Sequence, residues 1–387
     1  MCSALSWACV ELNLGAHAYQ ACGDTDAVAS GVASPLSRQH VGDGQQPAPD
    51  QRLAGCRRSP YASAMSAPIP TPSVRVITLE QMLAVLPTLD LQPAIEAAFV
   101  AYSQGRATVP PVGELLFDSP PGDAHIKYGY VLGSDSFVIK VATGFCDNPR
   151  QGLPSYSGVM LVFSALTGML ETVLLDGGHL TNVRTAIAGA IAASYLAPTQ
   201  VDRIAVFGTG VQARLQVEAI AKVVTCRNVT VWGRRQDALD SYQRDMEAAG
   251  FTVKTMRDAA TAVRGAQVVV MTTPSTLPLL DIDHVAPGTL VIAMGSDTPE
   301  KQELSTALVG RADVYVVDSR SQSLTRGELH HAIAAGTRSI DSVVELGEVI
   351  ENRSRGRSND EQVVIADLTG VAVQDIAIAS AVSRALA

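Results

Sequence analysis

The order of hydrophobic and polar residues changes several times along the chain. From residue 76, two stretches carry apolar residues at helical spacing, ITLEQMLAVLPTL and LQPAIEAAFVAYSQG, and Gly105 ends the second. The pattern then alternates with the period of a strand in GELLF, AHIKYGYV, SFVIKVA, VMLVFSA and MLETVLLD, which turn-rich segments separate. This region predicts an antiparallel meander of β-strands.

A helix and a second kind of sheet follow the meander. LTNVRTAIAGAIAASYLA has helical spacing and a face of small residues, and Pro198 stops it. From residue 202, helices alternate with continuous apolar strands, which are DRIAVFG, NVTVWG, FTVKTM, AQVVVMTT, GTLVIAMG and ADVYVVD. This alternation predicts a parallel, doubly wound sheet. After about residue 320 the chain is predicted to be helical, in SQSLTRGELHHAIAAG and VAVQDIAIASAVSRAL.

These patterns predict an α/β protein in which a Rossmann doubly wound domain is inserted in an α+β substrate and dimerisation domain with an antiparallel meander. We assign residues 194–320 to dinucleotide binding, and residues 66–193 plus 321–387 to substrate binding and dimerisation. Residues 1–65 show no sustained period. We interpret them as a disordered leader, or as the result of a start codon placed too early, with Met65 as the first residue. A targeting segment is the alternative.

Composition and charge exclude several classes of protein. The net charge of −9 argues against a nucleic-acid binder, which needs a basic surplus to neutralise phosphates. The sequence has no apolar run of the roughly 18 residues that span a bilayer, so no membrane partner is expected. Cys146 and Cys226 lack the spacing of a zinc site, so no metal is expected. Cysteine usage predicts a cytoplasmic protein.

A glycine-rich motif lies where an apolar strand runs into a helix. It fits G-x-G-x-x-A and consists of Gly208, Thr209, Gly210, Val211, Gln212 and Ala213. Its glycines make the tight turn and let the backbone approach a pyrophosphate, which binds at the helix N-terminus. Thr272, in the AQVVVMTT segment, is predicted to join this cofactor site. The alternative is a tight turn without a ligand.

The second strand of this region ends in Trp232-Gly233-Arg234-Arg235. A site that prefers NAD usually places Asp or Glu at the position that is Gly233 here. Guanidinium groups suit a 2′-phosphate, so Arg234 and Arg235 favour NADP(H), with NAD(H) as a possible cofactor. The alternative is that both arginines are solvated surface charge.

Two of the chain's five lysines, Lys127 and Lys140, lie in the stretch HIKYGYVLGSDSFVIK. If LGSD is a four-residue hairpin loop, residue 131 pairs with residue 136 and Lys127 pairs with Lys140. Ammonium groups on Cβ atoms about 5 Å apart repel each other unless an anion lies between them or one amine is neutral. We interpret the two lysines as part of a binding site for an anion. The alternatives are an exposed face with solvated lysines, or a register slip of one residue.

Five segments together resemble the ornithine cyclodeaminase/mu-crystallin family, from about residue 72 to the end of the chain. They are KVATGFCDNPRQGLPS, TGMLETVLLDGGHLTNVRTAIAGAIAA, FGTGVQAR, MGSDTPEKQEL and DLTGVAVQD. The branch with ectoine-utilisation members shares a DxHIKYGY-like strand and a GELHHAIAAG-like helix. The resemblance implies a homodimer, a Rossmann domain, and hydride transfer between a nicotinamide and the Cα atom of a small imino or amino acid.

The resemblance also implies roles for single residues. Lys140 matches the substrate lysine of the family, and Arg184 matches the arginine that binds the substrate carboxylate. Asp297 matches the acidic residue that moves protons, with the N-cap of a following helix as an alternative or additional role. Ser155 falls where a threonine contacts the substrate. Asp367 and Asp375 match family positions near the substrate or the domain interface and are left without a role.

One position departs from the family pattern. Many members carry a second carboxylate-binding arginine where this chain has Gly113. We predict that Lys127 replaces that arginine, so that Lys127, Lys140 and Arg184 together hold a substrate carboxylate.

The sequence therefore predicts an NAD(P)-dependent imine reductase or amino-acid dehydrogenase. The alternative is ornithine cyclodeaminase, a lyase that converts ornithine to proline plus ammonia with a recycled NAD, and a third possibility is a non-catalytic binder. The arginine pair 234–235 favours the reductase, and Asp297 favours the cyclodeaminase. Lys140, Arg184 and Asp297 together argue against the binder.

Overall fold

The computed structural model describes residues 73–387, which form two β-sheets with helices packed around them. The predictions for residues 1–65 lie outside the described residues. The strands of the first sheet are β1 (Arg75–Thr78), β2 (Ala107–Thr108), β3 (Gly113–Asp118), β4 (Pro121–Val131), β5 (Ser136–Gly144), β6 (Tyr156–Ser164) and β7 (Leu170–Leu175). Those of the second are β8 (Ile204–Phe207), β9 (Asn228–Trp232), β10 (Thr252–Met256), β11 (Val268–Met271), β12 (Leu290–Ala293), β13 (Val314–Val317), β14 (Val344–Glu345) and β15 (Val364–Asp367).

Eleven α-helices of the described chain connect and cover these strands. They are α1 (Leu79–Val85), α2 (Gln92–Ser103), α3 (His179–Leu196), α4 (Val211–Ile220), α5 (Gln236–Ala248), α6 (Ala259–Val263), α7 (Thr306–Arg311), α8 (Arg320–Ser323), α9 (Leu329–Ala334), α10 (Leu346–Glu351) and α11 (Ala372–Ala385). Between residues 73 and 387, no single helix is long and apolar enough to cross a membrane. Two consecutive helical segments, Leu79–Thr88 and Gln92–Ser103, would together be long and apolar enough, but a bend of 93° separates them.

The first sheet contains the predicted meander. Its strands lie in the order β1-β7-β6-β5-β4-β2, with β3 also paired to β4, and the neighbours from β2 to β7 are antiparallel. The helix predicted from residue 76 begins later than expected, because RVIT forms β1 and pairs in parallel with β7. Thr78 then caps α1 by accepting a hydrogen bond from the Gln81 backbone N–H.

The second sheet is parallel throughout, in the order β10-β9-β8-β11-β12-β15-β13-β14. The order reverses beside β8, because the chain goes first to β9 and β10 and then to β11 on the other side of β8. Ligands of doubly wound sheets bind outside the carboxyl ends of the strands at such a switch point. The glycine-rich turn after β8 therefore lies where a ligand is expected.

The structure places part of residues 321–387 differently from the predicted domain assignment. They were placed wholly in the substrate domain, but β14 and β15 pair in the parallel sheet. The sequence VIAD of β15 is buried at every position, as is usual for a strand that helices cover on both faces. The following helix, α11, packs on β4 and β5 of the first sheet. The division into two domains stays a prediction.

Two helices join the sheets. Helix α3 packs against α4, and its small-residue face permits a close approach. A Cβ atom at Gly189 would lie 1.9 Å from the Gln216 Oε1 atom, so a larger residue there would push the helices apart. The Gln216 side-chain amide also donates to the carbonyl of Thr185 at 2.8 Å. Helix α4, which begins at the glycine-rich turn, is thereby fixed to the helix that carries Arg184.

Candidate active site

A cavity of about 390 Å³ lies between the first sheet and the carboxyl edge of the second. Its walls come from β4, β5 and α3, and from the segments that follow β12 and β15. The cavity brings together every residue that the sequence predicted for the substrate site, namely Lys127, Lys140, Ser155, Arg184 and Asp297. Their roles stay predictions.

The two lysines pair across a hairpin in the predicted register. Lys127 of β4 lies opposite Lys140 of β5. Their exposed fractions are only 9% and 2%, so the alternative of a solvated face is wrong. Two ammonium groups on one buried face require anionic or carbonyl partners, because burial penalises an unpaired charge.

Asp375 of α11 supplies one of these partners. Its carboxylate lies 2.8 Å from Lys140 Nζ and accepts a hydrogen bond from Arg184 Nε at 3.0 Å. Burial alone would raise the pKa of Asp375, but Lys140 and Arg184 lower it below its ordinary value. Burial also lowers the pKa of Lys140 to about 7, against the opposing effect of Asp375. The site therefore holds one permanent guanidinium and one ammonium that titrates near neutrality.

Lys127 reaches the same region from the other strand of the hairpin. Its ammonium donates to the carbonyls of Thr369 at 3.2 Å and Gly370 at 2.7 Å. Burial, followed by the charge of Arg184, lowers the pKa of Lys127. A Cβ atom at Gly370 would lie 3.1 Å from Arg184 Nη1 and 3.2 Å from Lys127 Nζ, so the two cations converge on one point. Arg184 and the two lysines contribute three basic side chains to this wall of the cavity, which therefore suits an anion.

Asp297 lies on the opposite wall, after β12. Its carboxylate accepts a hydrogen bond from Lys301 at 2.5 Å, and its side chain, which lines the cavity, is 48% exposed. Burial opposes ionisation, but Lys301 lowers the pKa of Asp297, and Asp297 in turn raises the pKa of Lys301 despite burial. The helix that Asp297 was predicted to cap is absent from the described chain at this place. Helix α7 begins later and is capped by Ser305.

His125 is a cavity residue that the sequence reasoning missed. Its Nδ1 atom lies 3.5 Å from Glu114 Oε1, and its Nε2 atom lies 3.6 Å from Asp123 Oδ1. The signal was available, because residues 123, 125 and 127 alternate along β4 and so share one face. Lys301 was also missed, since its sequence position indicates only a charge on a helix surface.

A second cavity, of about 450 Å³, surrounds the glycine-rich turn. Gly208, Thr209, Gly210, Arg234 and Thr272 line it, as predicted for a cofactor site. Gly208 has a φ of +111°, and a Cβ atom there would lie 2.6 Å from the Thr272 hydroxyl oxygen. Gly210 has open space where its Cβ would be, and no side chain caps α4. The first N–H groups of α4 thus face a space that fits a pyrophosphate.

The remaining residues of the motif lie elsewhere. Val211 is 59% exposed at the start of α4, and Ala213 is fully buried in the core. Gln212 lines the cationic cavity, and its side-chain amide donates to the Asn182 side-chain oxygen at 3.1 Å. Gln212 therefore connects the two cavities, because Gly210, two residues earlier, lines the other one.

The end of β9 distinguishes the two predicted arginines. A Cβ atom at Gly233 would lie 2.8 Å from the Thr209 methyl group, so a larger residue at this position would require Thr209 to shift. Arg234 lines the cavity beside it. Arg235 instead forms an exposed ion pair with Asp237 at 2.7 Å.

A buried carboxylate, Glu303, joins the walls of the two cavities. It accepts hydrogen bonds from the backbone N–H and hydroxyl of Thr273, both at 2.7 Å, and from the Gly295 N–H at 2.9 Å. Burial raises the pKa of Glu303 to about 7. The carboxyl ends of β11 and β12 are thereby tied together just before Asp297.

The fold and the two cavities define a class, namely doubly wound proteins in which a dinucleotide-type cleft adjoins a cationic cavity. The particular family follows from comparison. The profile of the ornithine cyclodeaminase/mu-crystallin family matches residues 75–386, and the chain belongs to that family. The predicted family and α/β fold are confirmed, while the insertion of one domain in the other stays a prediction.

Three relatives illustrate the range of the family. A Sinorhizobium fredii protein named as an uncharacterized cyclodeaminase is 41% identical over 313 residues, covering 80% of this chain and 95% of that protein. The iminosuccinate reductase of Paracoccus denitrificans, solved in complex with NAD⁺, has a TM-score of 0.74 at 32% identity and covers 81% and 96%. An archaeal alanine dehydrogenase dimer with bound NAD has a TM-score of 0.74 at 31% identity and covers 81% and 95%.

Proposed function

We propose that this protein is an NAD(P)-dependent oxidoreductase that reduces the C=N bond of a small imino acid to the amine. The observation that carries the proposal is the convergence of Lys127, Lys140 and Arg184 in a buried cavity whose lining includes Gln212 of the dinucleotide motif. The two similar structures described above, one named as an iminosuccinate reductase and the other as an alanine dehydrogenase, support the reaction class.

The residues of the chain act by binding and orientation. Gly208, Gly210 and the first turn of α4 would hold the pyrophosphate of a nicotinamide dinucleotide, which supplies a hydride when bound. Arg184 and the two lysines bind the substrate carboxylate, and Ser155 borders the same space. A carboxylate fixed at this wall orients Cα, and such positioning lowers the barrier by removing orientational freedom.

The test is turnover of NADPH and NADH at 340 nm against a panel of cyclic imino acids and against 2-oxo acids mixed with ammonia. We expect saturable oxidation of the reduced cofactor with at least one α-imino carboxylate. We also expect none with the corresponding imine that lacks a carboxylate. Equal rates on the two compounds would contradict the proposed use of the cationic wall.

Ornithine cyclodeamination is a second candidate, favoured by the 41% identity to a protein named as a cyclodeaminase. That reaction removes a hydride from Cα and returns it, so the cofactor is not consumed. Release of proline and ammonia from ornithine, without a net change at 340 nm, would replace the reductase by this lyase.

We infer that NADP(H) is the preferred cofactor, since Arg234 lines the nucleotide cavity and residue 233, a glycine, supplies no acidic side chain. The Arg234→Ala variant is expected to raise KM for NADPH about 10- to 100-fold, the equivalent of one lost charge-assisted hydrogen bond, with little change for NADH. Arg235→Ala is the matched control, because Arg235 already binds Asp237. Equal KM values for NADPH in the wild type and the Arg234 variant would contradict the preference.

We propose a homodimer that uses the apolar edge around β3. Leu115, Leu116 and Phe117 on this strand are exposed, by 57%, 69% and 43%. The solved archaeal alanine dehydrogenase is a dimer, which supports the same assembly. The predicted cytoplasmic location stays a prediction.

A further inference from the structure

His125 is a titratable side chain of the cavity for which the proposed reaction gives no role. Its imidazole lines the cavity, and 15% of its side chain is exposed. A carboxylate lies near each ring nitrogen, Glu114 at 3.5 Å from Nδ1 and Asp123 at 3.6 Å from Nε2. Both distances exceed an ordinary hydrogen-bond length, and within the described residues neither ring nitrogen makes a hydrogen bond, so both remain available to a ligand in the cavity.

Charged groups from each neighbouring element act on this ring. Burial is the largest effect and lowers the pKa of His125 below its ordinary value. Asp123 on β4, Asp297 after β12 and Glu114 on β3 act in the opposite direction, whereas Lys127 on β4 reinforces the lowering. The three carboxylates therefore favour the imidazolium form that burial disfavours.

Two of the carboxylates around His125, those of Glu114 and Asp297, each form an ion pair with another residue. Arg326 Nη2 lies 3.3 Å from Glu114 Oε2, and Arg326 also donates to the Asp297 carbonyl at 3.0 Å. The Asp297 carboxylate is held by Lys301. An ionised carboxylate that is paired with an ammonium holds no proton to donate, so Asp297 is a poor acid in this arrangement.

Building on the proposed function, we propose that His125 is a catalytic residue, the general acid that protonates the imine nitrogen. Glu114 is a positioning residue for it. The reduction uses one hydride from a reduced nicotinamide, which forms the new C–H bond at Cα, and one proton. An N–H bond of the imidazolium breaks and an N–H bond of the product amine forms, which leaves neutral His125. Asp123, whose side chain is 39% exposed, offers a route for the proton to return from solvent.

The experiment compares two substrates of the His125→Gln variant. One is a cyclic α-imino carboxylate, whose nitrogen needs a proton, and the other is its N-methyl iminium counterpart, which carries a permanent charge and needs none. We expect kcat on the first to fall at least about 100-fold, the usual contribution of a general acid, while kcat on the second stays within about twofold of the wild type. His284→Gln, in a turn at the edge of the parallel sheet, is the matched control and is expected to leave both rates unchanged.

A second measurement, NMR of the His125 imidazole, tests the proposal without relying on catalytic turnover. The imidazole NMR signal that is missing from His125→Gln identifies His125, and we expect it to shift when a planar carboxylate inhibitor is added to the nucleotide-free wild type. The inhibitor is expected to bind both proteins with the same Kd. In Glu114→Gln, the pH above which kcat/KM for the imine declines should move downward, since the variant lacks a charge that raises the pKa of His125.

The possible failures are distinguishable. If His125→Gln loses activity equally on both substrates, or on neither, the catalytic role is overturned while the reductase function stands. If the wild type binds nucleotide and inhibitor but reduces neither substrate, the proposed function falls, and the role of His125 falls with it.

Discussion

Replacing Arg184 with Gln is expected to lower kcat/KM for the imino acid about 10²- to 10³-fold, because a buried substrate carboxylate would lose its guanidinium partner. Arg184 is buried, with 6% of its surface exposed, and converges with Lys127 on the space beside Gly370. Arg184→Lys keeps the charge but not the planar fork of donors, so we expect an intermediate loss. The measurement is steady-state kinetics at saturating NADPH.

Two controls separate a binding role from a folding role. Arg384, whose side chain is 63% exposed on α11, is changed to Gln and should leave the kinetics unchanged. The affinity of Arg184→Gln for NADPH, followed by its fluorescence, should match that of the wild type, because Arg184 lies outside the nucleotide cavity. Wild-type kcat/KM in a folded Arg184→Gln protein would contradict the carboxylate-binding role.

Replacing Asp375 with Asn is expected to destabilise the fold by about 3–5 kcal/mol, the usual cost of removing one partner of a buried ion pair. Asp375 is the carboxylate shared by Lys140 and Arg184, and its side chain is 1% exposed. Without it, Lys140 and Arg184 lose the carboxylate that both of them contact. The measurement is the free energy of unfolding in urea at about neutral pH.

The second variant in this series is the double mutant Asp375→Asn with Lys140→Met. Removing the ammonium as well should recover part of the lost stability, because the uncompensated charge goes with it. The surface control is Asp237→Asn, which removes the exposed partner of Arg235 and should cause no measurable change. Additive effects of the two site mutations would contradict the coupling between Lys140 and Asp375.

The sequence allowed the lysine pair to be placed because the length of a hairpin loop fixes which residues oppose each other. The same alternation places Asp123 and His125 on the face of Lys127, so this side of the cavity was open to prediction. The ion pair of Asp375 with Arg184 was not, since the two residues are 191 positions apart and meet only through the packing of α11. Local patterns contain no information about such a contact.

The segment after Asp297 shows how tertiary contacts override a local signal. DTPEKQEL has the acidic residue, the proline and the glutamates that usually start a helix. In the structure Glu303 is instead fully buried, where it binds the N–H groups of Thr273 and Gly295. Those bonds hold the segment in an extended form, so the helix starts only at α7.

The sequence analysis did not predict strand β15. The position of this strand in the sheet constrains the order in which the sheet can assemble. It lies between β12 and β13, although the chain makes β13 and β14 first. Until residues 364–367 leave the ribosome, β12 presents a wholly apolar edge with unpaired backbone groups, and β13 has no strand through which to join the sheet. A chain that stalls before that point would expose the unpaired edge of β12 to other chains. Slow translation of the last segment should therefore favour aggregation or chaperone binding.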